Sequence, residues 1–148
     1  MSFFRTVAPA ALASALSVAA LPALADVTGP ELWLEWQDSA KEGGQKLTVS
    51  SQSYANGVMN LTGLTSAIDF PEGQLTVLVP EVILSDQADG TVSVAMPNDI
   101  LIEVVPTDPS EGGMKMTVAH QGLSLIAGGD DTARSYAYRA DEMAFVLD

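Results

Sequence analysis

The sequence has no cysteine and few basic residues. Without cysteine the protein has no disulfide, no thiolate metal ligand, no cysteine nucleophile and no attachment point for a lipoprotein anchor. Lysine and arginine together number 6 against 19 aspartates and glutamates, which gives a formal net charge of −13. Such a surface repels phosphate backbones and anionic headgroups, so we expect no nucleic-acid binding and no electrostatic docking to a membrane.

Motifs that carry chemistry are also scarce. The single histidine, His120, has no nucleophile or orienting acid that the sequence places beside it, so we expect a structural role near a turn. The acidic loops around Asp89 and Asp130 lack the ligand spacing of a calcium loop and are interpreted as turns. Nothing selects two of the 19 acids as a glycosidase pair, although a hydrolase stays open as an alternative. We therefore predict no enzyme activity, no metal and no cofactor.

The N-terminal segment has the pattern of a secretory signal peptide. Arg5 precedes the apolar run Val7–Leu21, and small residues occupy the two positions that a signal peptidase reads, Ala23 and Ala25. Cleavage after Ala25 leaves Asp26 as the new N-terminus. A membrane anchor is the alternative, but the run is short and is interrupted by two serines and a proline. We predict an exported, periplasmic protein with no integral membrane span after cleavage.

Residues 26–148 have the length of one domain and begin with a helix. Thr28-Gly29-Pro30-Glu31 matches a capping box with proline in the first turn, and Gly43-Gly44 predicts the end of the helix. Leu32, Trp36 and Ala40 are four residues apart and share one face. We expect this face to pack on a sheet, with an aromatic ligand site as the alternative.

The rest of the chain has the texture of short strands joined by turn signals such as Asn56-Gly57 and Asp89-Gly90. This spacing predicts a mainly β fold, a curled antiparallel meander forming an open trough with one N-terminal helix. A closed barrel or a sandwich is the alternative. The chain stops inside the last predicted strand, so we expect it to be the N-terminal part of a longer protein. The predicted strands include Leu47–Val49, Val58–Leu61, Gln74–Val79, Val82–Leu84, Thr91–Met96, Ile100–Val105, Met114–Ala119, Leu123–Ala127, Tyr136–Ala140 and Met143–Leu147.

Alternation within these strands suggests an apolar interior that binds a ligand. Thr91–Met96 and Met114–Ala119 each place apolar residues on one side and polar or small residues on the other. One helix covers one face of a sheet, so the remaining apolar stretches require a second sheet, a partner or a ligand. The candidate groove residues are Val77, Val79, Val92, Val94, Met96, Met114, Met116 and Val118.

Several segments of the chain resemble a family of exported alphaproteobacterial proteins, domain-of-unknown-function family 2125. The resemblance covers the N-terminal part of that family and rests on the order and texture of its segments. These are Ala25-Asp26-Val27-Thr28, Leu32-Trp33-Leu34-Glu35-Trp36-Gln37-Asp38, Leu47-Thr48-Val49, Leu61-Thr62-Gly63-Leu64, Asp89-Gly90-Thr91-Val92-Ser93-Val94, Pro97 and Phe145-Val146-Leu147-Asp148.

That family looks related to the AsmA-like group of envelope proteins, which resemble long β-sheets rolled into an apolar groove and are linked to moving phospholipids. The resemblance implies a groove that binds or transports a lipid or another apolar ligand, such as an acyl chain. It is a fold-level analogy, and fold alone does not fix function. The alternative hypothesis is a non-enzymatic interaction or structural module of the envelope, in which the sheet edge pairs with a partner protein and no ligand is bound.

Overall fold

The computed structural model describes residues 26–130 and 132–148. The predicted signal peptide, residues 1–25 with Ala25 at its cleavage site, lies outside the described residues. Asp26, the predicted new N-terminus, is the first described residue and is exposed. No helix in the described ranges combines the length and the hydropathy that crossing a bilayer requires.

The chain enters the fold through the predicted helix, α1, which spans Gly29–Glu42. The capping box is confirmed: the Thr28 hydroxyl accepts from the Glu31 backbone N–H, and the Glu31 carboxylate accepts from the Thr28 backbone N–H. The Asp86 carboxylate accepts from the Gly29 backbone N–H at 2.7 Å, which ties this end of α1 to the sheet. Gly43 caps the C-terminal end, as the sequence predicts.

The described residues after α1 form one antiparallel sheet that is not closed into a barrel. The prediction of a mainly β curled meander with one helix is therefore confirmed. The strands are β1 (Gln45–Thr48), β2 (Ser51–Ala55), β3 (Val58–Phe70), β4 (Gly73–Asp86), β5 (Val92–Ala95), β6 (Asp99–Pro106), β7 (Met114–Gln121), β8 (Ser124–Gly129), β9 (Arg134–Arg139) and β10 (Glu142–Leu147).

Several of these strands are halves of longer passes along the sheet. β1 and β2 lie end to end along one side of β3, and β6 and β5 lie end to end along β4. Next to them, β7 pairs with β6 and β8 pairs with β5. The outermost strands are β10, which pairs with β7, and β9, which pairs with β8. The passes are distorted at one level, where the backbone bends or the ladder is interrupted. We call this level the bend line; its residues are Ser50, Gly63, Pro80, Gly122 and Asp141.

Two strand predictions need correction at the bend line. The sequence predicts a break between two strands at Pro80, but β4 runs through this residue without interruption. Pro80 lacks a ladder partner on both sides, because the β6 pairs end at Leu78 and the β5 pairs begin at Ile83, while the pairs with β3 omit the Gly63 position. Its missing N–H therefore costs no ladder hydrogen bond. The other correction is that β2 and the second half of β3 are strands that the sequence pattern does not predict. Both segments are too polar to show the apolar alternation that identifies a strand.

The core lies where α1 packs against the sheet. Leu32 and Trp33 of the helix join a cluster of buried side chains from β3, β4, β5 and β8, and the Trp33 indole N–H donates to the Gln52 side chain of β2. This part of the sheet, with β9 at its margin, is the covered half. The second half of β3, the first half of β4 and the strands β6, β7 and β10 form the open half. The cluster comprises Val27, Leu32, Trp33, Met59, Leu61, Leu64, Val79, Val82, Leu84, Val92, Val94 and Ala127.

The side-chain alternation changes phase at the bend line. On β3 the buried residues are Met59 and Leu61 before Gly63 but Leu64 after it, and β4 makes the matching change between Val82 and Val79. One extra residue per strand thus keeps apolar side chains on the helix side in both halves of the sheet. We call this side the inner face and the opposite side the outer face.

Candidate functional site

The inner face of the open half is an apolar surface without a covering element in the described ranges. Strand alternation and pairing register, continued from Leu64 and Val79, place every second residue of these strands on it. We call this surface the open face. Its apolar residues are Ile68, Phe70, Leu75, Val77, Ile100, Ile102, Val104, Met114, Met116, Val118, Met143, Phe145 and Leu147.

The open face carries no charged residue, although the chain has 19 acids. Every charged side chain of the open-half strands falls on the outer face: Asp69, Asp99, Glu103, Lys115 and Glu142. The Glu103–Lys115 ion pair, at 3.7 Å, marks this outer face as the solvated one. A face that is free of charge but open to water is unusual for a soluble sheet, which normally alternates between an apolar covered face and a polar exposed face.

Exposure on the open face rises from its centre toward β10. Val118 is buried and Val77, Ile102 and Met116 are half-buried, but Phe145 is 64% exposed and Leu147 is 67% exposed. Three methionines, which are flexible and suit surfaces that adapt to varied apolar partners, also lie here: Met114, Met116 and Met143. The surface can therefore gain favourable burial on contact with an apolar molecule.

The structure separates the predicted groove residues into two groups. Val77, Met114, Met116 and Val118 lie together on the open face, and Val77 also packs against the buried cluster around α1. Val79, Val92 and Val94 belong to the buried cluster around α1, and Met96 packs against the edge of that cluster. Because helix side chains occupy the inner side of the covered half, the second group stabilises the fold and does not line an open surface.

Sequence reasoning missed the open-face residues of β6 and β10. Ile100–Val105 is apolar on both faces, so its alternation gives no signal of which side is inner, and only the pairing with Met114 and Met116 decides it. On β10, Met143, Phe145 and Leu147 alternate with Glu142, Ala144 and Val146, and this pattern was available in the sequence.

His120 is a buried polar residue near the C-terminal end of β7, on the inner face. Neither ring nitrogen has a hydrogen-bond partner among the described residues, and both nitrogens are shielded from solvent. Met143 is its partner in the β10 ladder, and its backbone N–H donates to the Asn98 carbonyl at 2.8 Å. A cavity of about 250 Å³ adjoins this point and is lined mainly by outer-face residues, among them Asp99, Ala119 and Glu142. His120 is also among the lining residues of this cavity, although its two ring nitrogens are shielded from solvent.

The acidic loops are built as turns. Asp89 accepts from the Thr91 hydroxyl and backbone N–H, and Asp130 accepts likewise from Thr132 and also from the Ala133 backbone N–H. These hydrogen bonds lower the pKa of both carboxyls, and the bond from the threonine hydroxyl has the largest effect. The interpretation of both loops as turns agrees with this geometry. No three histidine, aspartate or glutamate side chains in the described part form a set that could hold a metal ion.

A larger cavity, of about 470 Å³, lies beside the first turns of α1 and is acidic. Its lining includes Glu31, Glu35, Asp38 and Asp130 together with Arg134. Arg134 already donates to Glu35 and to the Gly129 carbonyl, which fixes β9 against the helix. Charged residues line this cavity, whereas the open face has none.

Comparison of the chain with models of known families, with curated proteins and with solved structures finds no match.

Proposed function

We propose that this protein is an exported carrier that binds an acyl chain or another apolar ligand on the open face. The observation that carries the proposal is the distribution of charge in the open half of the sheet. All five charged residues of these strands lie on the outer face, and within residues 26–130 and 132–148 no element covers the apolar side chains of the inner face. This arrangement leaves apolar surface in water unless something apolar is bound there.

The chemistry of the open face favours the apolar part of a lipid over its headgroup. Burial of apolar surface contributes about 0.8 kcal/mol per methylene, so an alkyl chain of ten methylenes gains roughly 8 kcal/mol before the cost of association. The open face crosses five neighbouring strands about 4.8 Å apart, which gives a width of roughly 19 Å. The net charge of −13 disfavours close contact with anionic headgroups.

Export and the family resemblance support the same proposal. The signal-peptide pattern that ends at Ala25 predicts delivery to the periplasm, where lipids must cross an aqueous space. The segments that resemble family 2125, and through it the AsmA-like group, imply a curled sheet with an apolar groove. Members of the AsmA-like group typically begin with a membrane anchor, whereas this sequence predicts cleavage. A soluble carrier therefore fits better than a bridge fixed in the membrane.

The test compares two glutamate substitutions at adjacent residues of β7. Met116→Glu places a charge on the open face, and the matched control Thr117→Glu places the same charge on the outer face. The probe is the fluorescent fatty acid parinaric acid, titrated into each purified protein. We expect Met116→Glu to weaken binding by about tenfold or more, which corresponds to about 1.4 kcal/mol, and Thr117→Glu to change it by less than about twofold.

A second open-face variant protects the test against misfolding. Met114 is more exposed than Met116, so Met114→Glu perturbs packing less and should still weaken binding. Circular dichroism and thermal unfolding confirm that each variant is folded. Absence of saturable binding to the unmodified protein would overturn the proposal, as would equal losses in Met116→Glu and Thr117→Glu.

The second candidate, an interaction module of the envelope, rests on a different feature. Among the described residues, β9 and β10 form an unpaired edge of the sheet, and such an edge offers backbone hydrogen bonds to another strand.

A further inference from the structure

β9 and β10 form one continuous sheet edge that bends at Ala140 and Asp141. Ser124 pairs with Arg139, and Gln121 pairs with Glu142, so the register of β9 on β8 continues without a slip into that of β10 on β7. The other side of both strands is unpaired in the described ranges. This edge therefore presents two strands of backbone hydrogen-bonding groups in line.

The side chains on this edge are large, apolar and exposed. Tyr138 is 76% exposed, and Phe145 and Leu147 are exposed to a similar extent. β10 contains no lysine, proline or bulge of the kind that natural proteins use to protect a free edge. The opposite edge, formed by β1 and β2, is mainly polar and carries Lys46, paired with Asp69 at 3.2 Å. Of these two sheet edges, the β9–β10 edge is the one with the character of a surface that is covered in the working protein.

Charges on the two strands are of opposite sign. β9 begins and ends with arginine, Arg134 and Arg139, whereas β10 begins with Glu142 and is flanked by Asp141 and Asp148. Arg134 is engaged with Glu35, whereas Arg139 forms an ion pair with the exposed Asp141 carboxylate, at 3.5 Å. Because opposite charges favour cross-strand pairing, β10 is complementary to a strand with basic ends such as β9, and β9 is complementary to a strand with acidic ends such as β10.

We propose that two copies of this chain pair antiparallel through the β9–β10 edge, with a two-fold axis that passes between Ala140 and Asp141. In this register Arg139 lies opposite the partner's Glu142, and the two bend lines meet. Tyr138 lies opposite the partner's Met143, and Tyr136 lies opposite the partner's Phe145.

The change of phase at the bend line excludes registers shifted by an odd number of residues, and this register is the one in which the two bend lines also meet. Tyr136 and Tyr138 are inner-face residues at even positions, whereas Met143 and Phe145 are inner-face residues at odd positions. Pairing β9 with the partner's β10 about the 140–141 junction keeps inner residues opposite inner residues along both strands. A shift by one residue would place inner-face side chains opposite outer-face ones. The dimer sheet then has one continuous inner face, and the exposed apolar side chains of both copies become cross-strand neighbours.

The first experiment measures the mass of the purified protein in solution. Light scattering coupled to size exclusion, at tens of micromolar protein and about 0.15 M salt, should return the mass of a dimer. Arg139→Glu should weaken the dimer by at least about tenfold, because it sets like charges opposite each other. The exchange Arg139→Glu with Glu142→Arg should restore it. The matched control Lys46→Glu makes the same change of charge at the opposite edge and should leave the dimer intact.

Cysteine pairs test the register directly, because the natural chain has no cysteine to interfere. The double variant Ala137→Cys with Ala144→Cys places each thiol opposite its counterpart in the partner, both on the outer face. Within one chain these positions are about 23 Å apart along the strand, so any disulfide joins two copies. We expect rapid crosslinking on mild oxidation.

The matched control, Ala137→Cys with Val146→Cys, is displaced by two residues and should crosslink slowly. A monomer at about 100 μM would overturn the proposal. So would a dimer that is indifferent to Arg139→Glu, or equal crosslinking of the two cysteine pairs. None of these outcomes depends on ligand binding, so this proposal and the carrier proposal can fail separately.

Discussion

Gly63 lies opposite Pro80 at the point where β3 and β4 cross the bend line. The ladder pairs Thr62 with Glu81 and Leu64 with Val79, and the two residues between them are the glycine and the proline. Gly63 has a φ of +63°, and Pro80 lacks a backbone N–H. Together they let both strands change phase without breaking. This change directs apolar side chains to the inner face on both sides of the bend line.

Gly63→Ala should destabilise the fold. A left-handed φ costs a non-glycine residue about 1–2 kcal/mol, and a Cβ at this position would also collide with the Ser50 hydroxyl. We expect the free energy of unfolding in urea to fall by about that amount or more. Gly112→Ala is the matched control, because a Cβ there meets nothing within 4 Å. Equal stability of the two variants would contradict the role given to Gly63.

Leu32→Ala should cost far more stability than Leu34→Ala, two residues along the same helix. Leu32 is fully buried against the sheet, whereas Leu34 is 60% exposed. Removal of a buried leucine typically costs about 2–5 kcal/mol, and removal of an exposed one costs well under 1 kcal/mol. Urea denaturation of both variants measures the difference. A small loss in Leu32→Ala would mean that α1 does not pack on the covered half as described.

Glu35→Gln should loosen the attachment of β9 to α1. The Arg134 guanidinium donates to both Glu35 carboxylate oxygens, at 2.8 and 3.3 Å, and both side chains are largely shielded from solvent. Loss of such charge-assisted hydrogen bonds costs about 1.5–3 kcal/mol. Hydrogen exchange of the β9 backbone should accelerate in Glu35→Gln, while exchange in β3 and β4 should change little. Uniform acceleration across the sheet would show that the pair acts on global stability instead.

Acid should remove the contribution of Asp130 to stability. Its pKa in the folded protein lies below the ordinary value, chiefly because the Thr132 hydroxyl donates to it. A carboxyl with a lowered pKa in the folded state stabilises the fold above its unfolded pKa and loses that contribution as pH falls through its folded pKa. Asp130→Asn should therefore be less stable than the unmodified protein near about pH 6, and the gap should narrow toward about pH 3. A gap that stays constant with pH would contradict this role of Asp130.

Local sequence signals predicted α1 well. The capping box at Thr28 and Glu31, the proline in the first turn and the glycines after Glu42 are short-range signals, and the structure confirms each of them. The helix face was also identified correctly, since Leu32 and Ala40 are buried. Trp36 was expected on the same face; it is half-buried and donates its indole N–H to the Tyr136 hydroxyl of β9.

The site was harder to predict because it depends on pairing between distant strands. Val77 and Val94 look alike in the sequence, but Val94 lies under α1 and Val77 lies on the open face. Val77 lies in the first half of β4, whereas Val94 pairs with the second half of β4, which α1 covers. The residues next to each valine in the sequence do not show this difference. The strand prediction at Pro80 is wrong for a related reason. A proline is tolerated inside β4 because the ladders on both sides have no pair at this residue, and the sequence does not show this.

The measurement that tests the central claim most directly is native mass spectrometry of the unmodified protein, purified gently from its own cell envelope. We expect an additional bound mass of lipid size, present on a large fraction of the molecules and removed by organic extraction. The extracted material would identify the ligand class. A clean mass of the protein alone, from a folded sample that also fails to take up added fatty acid, would contradict the assignment of the open face as a ligand site.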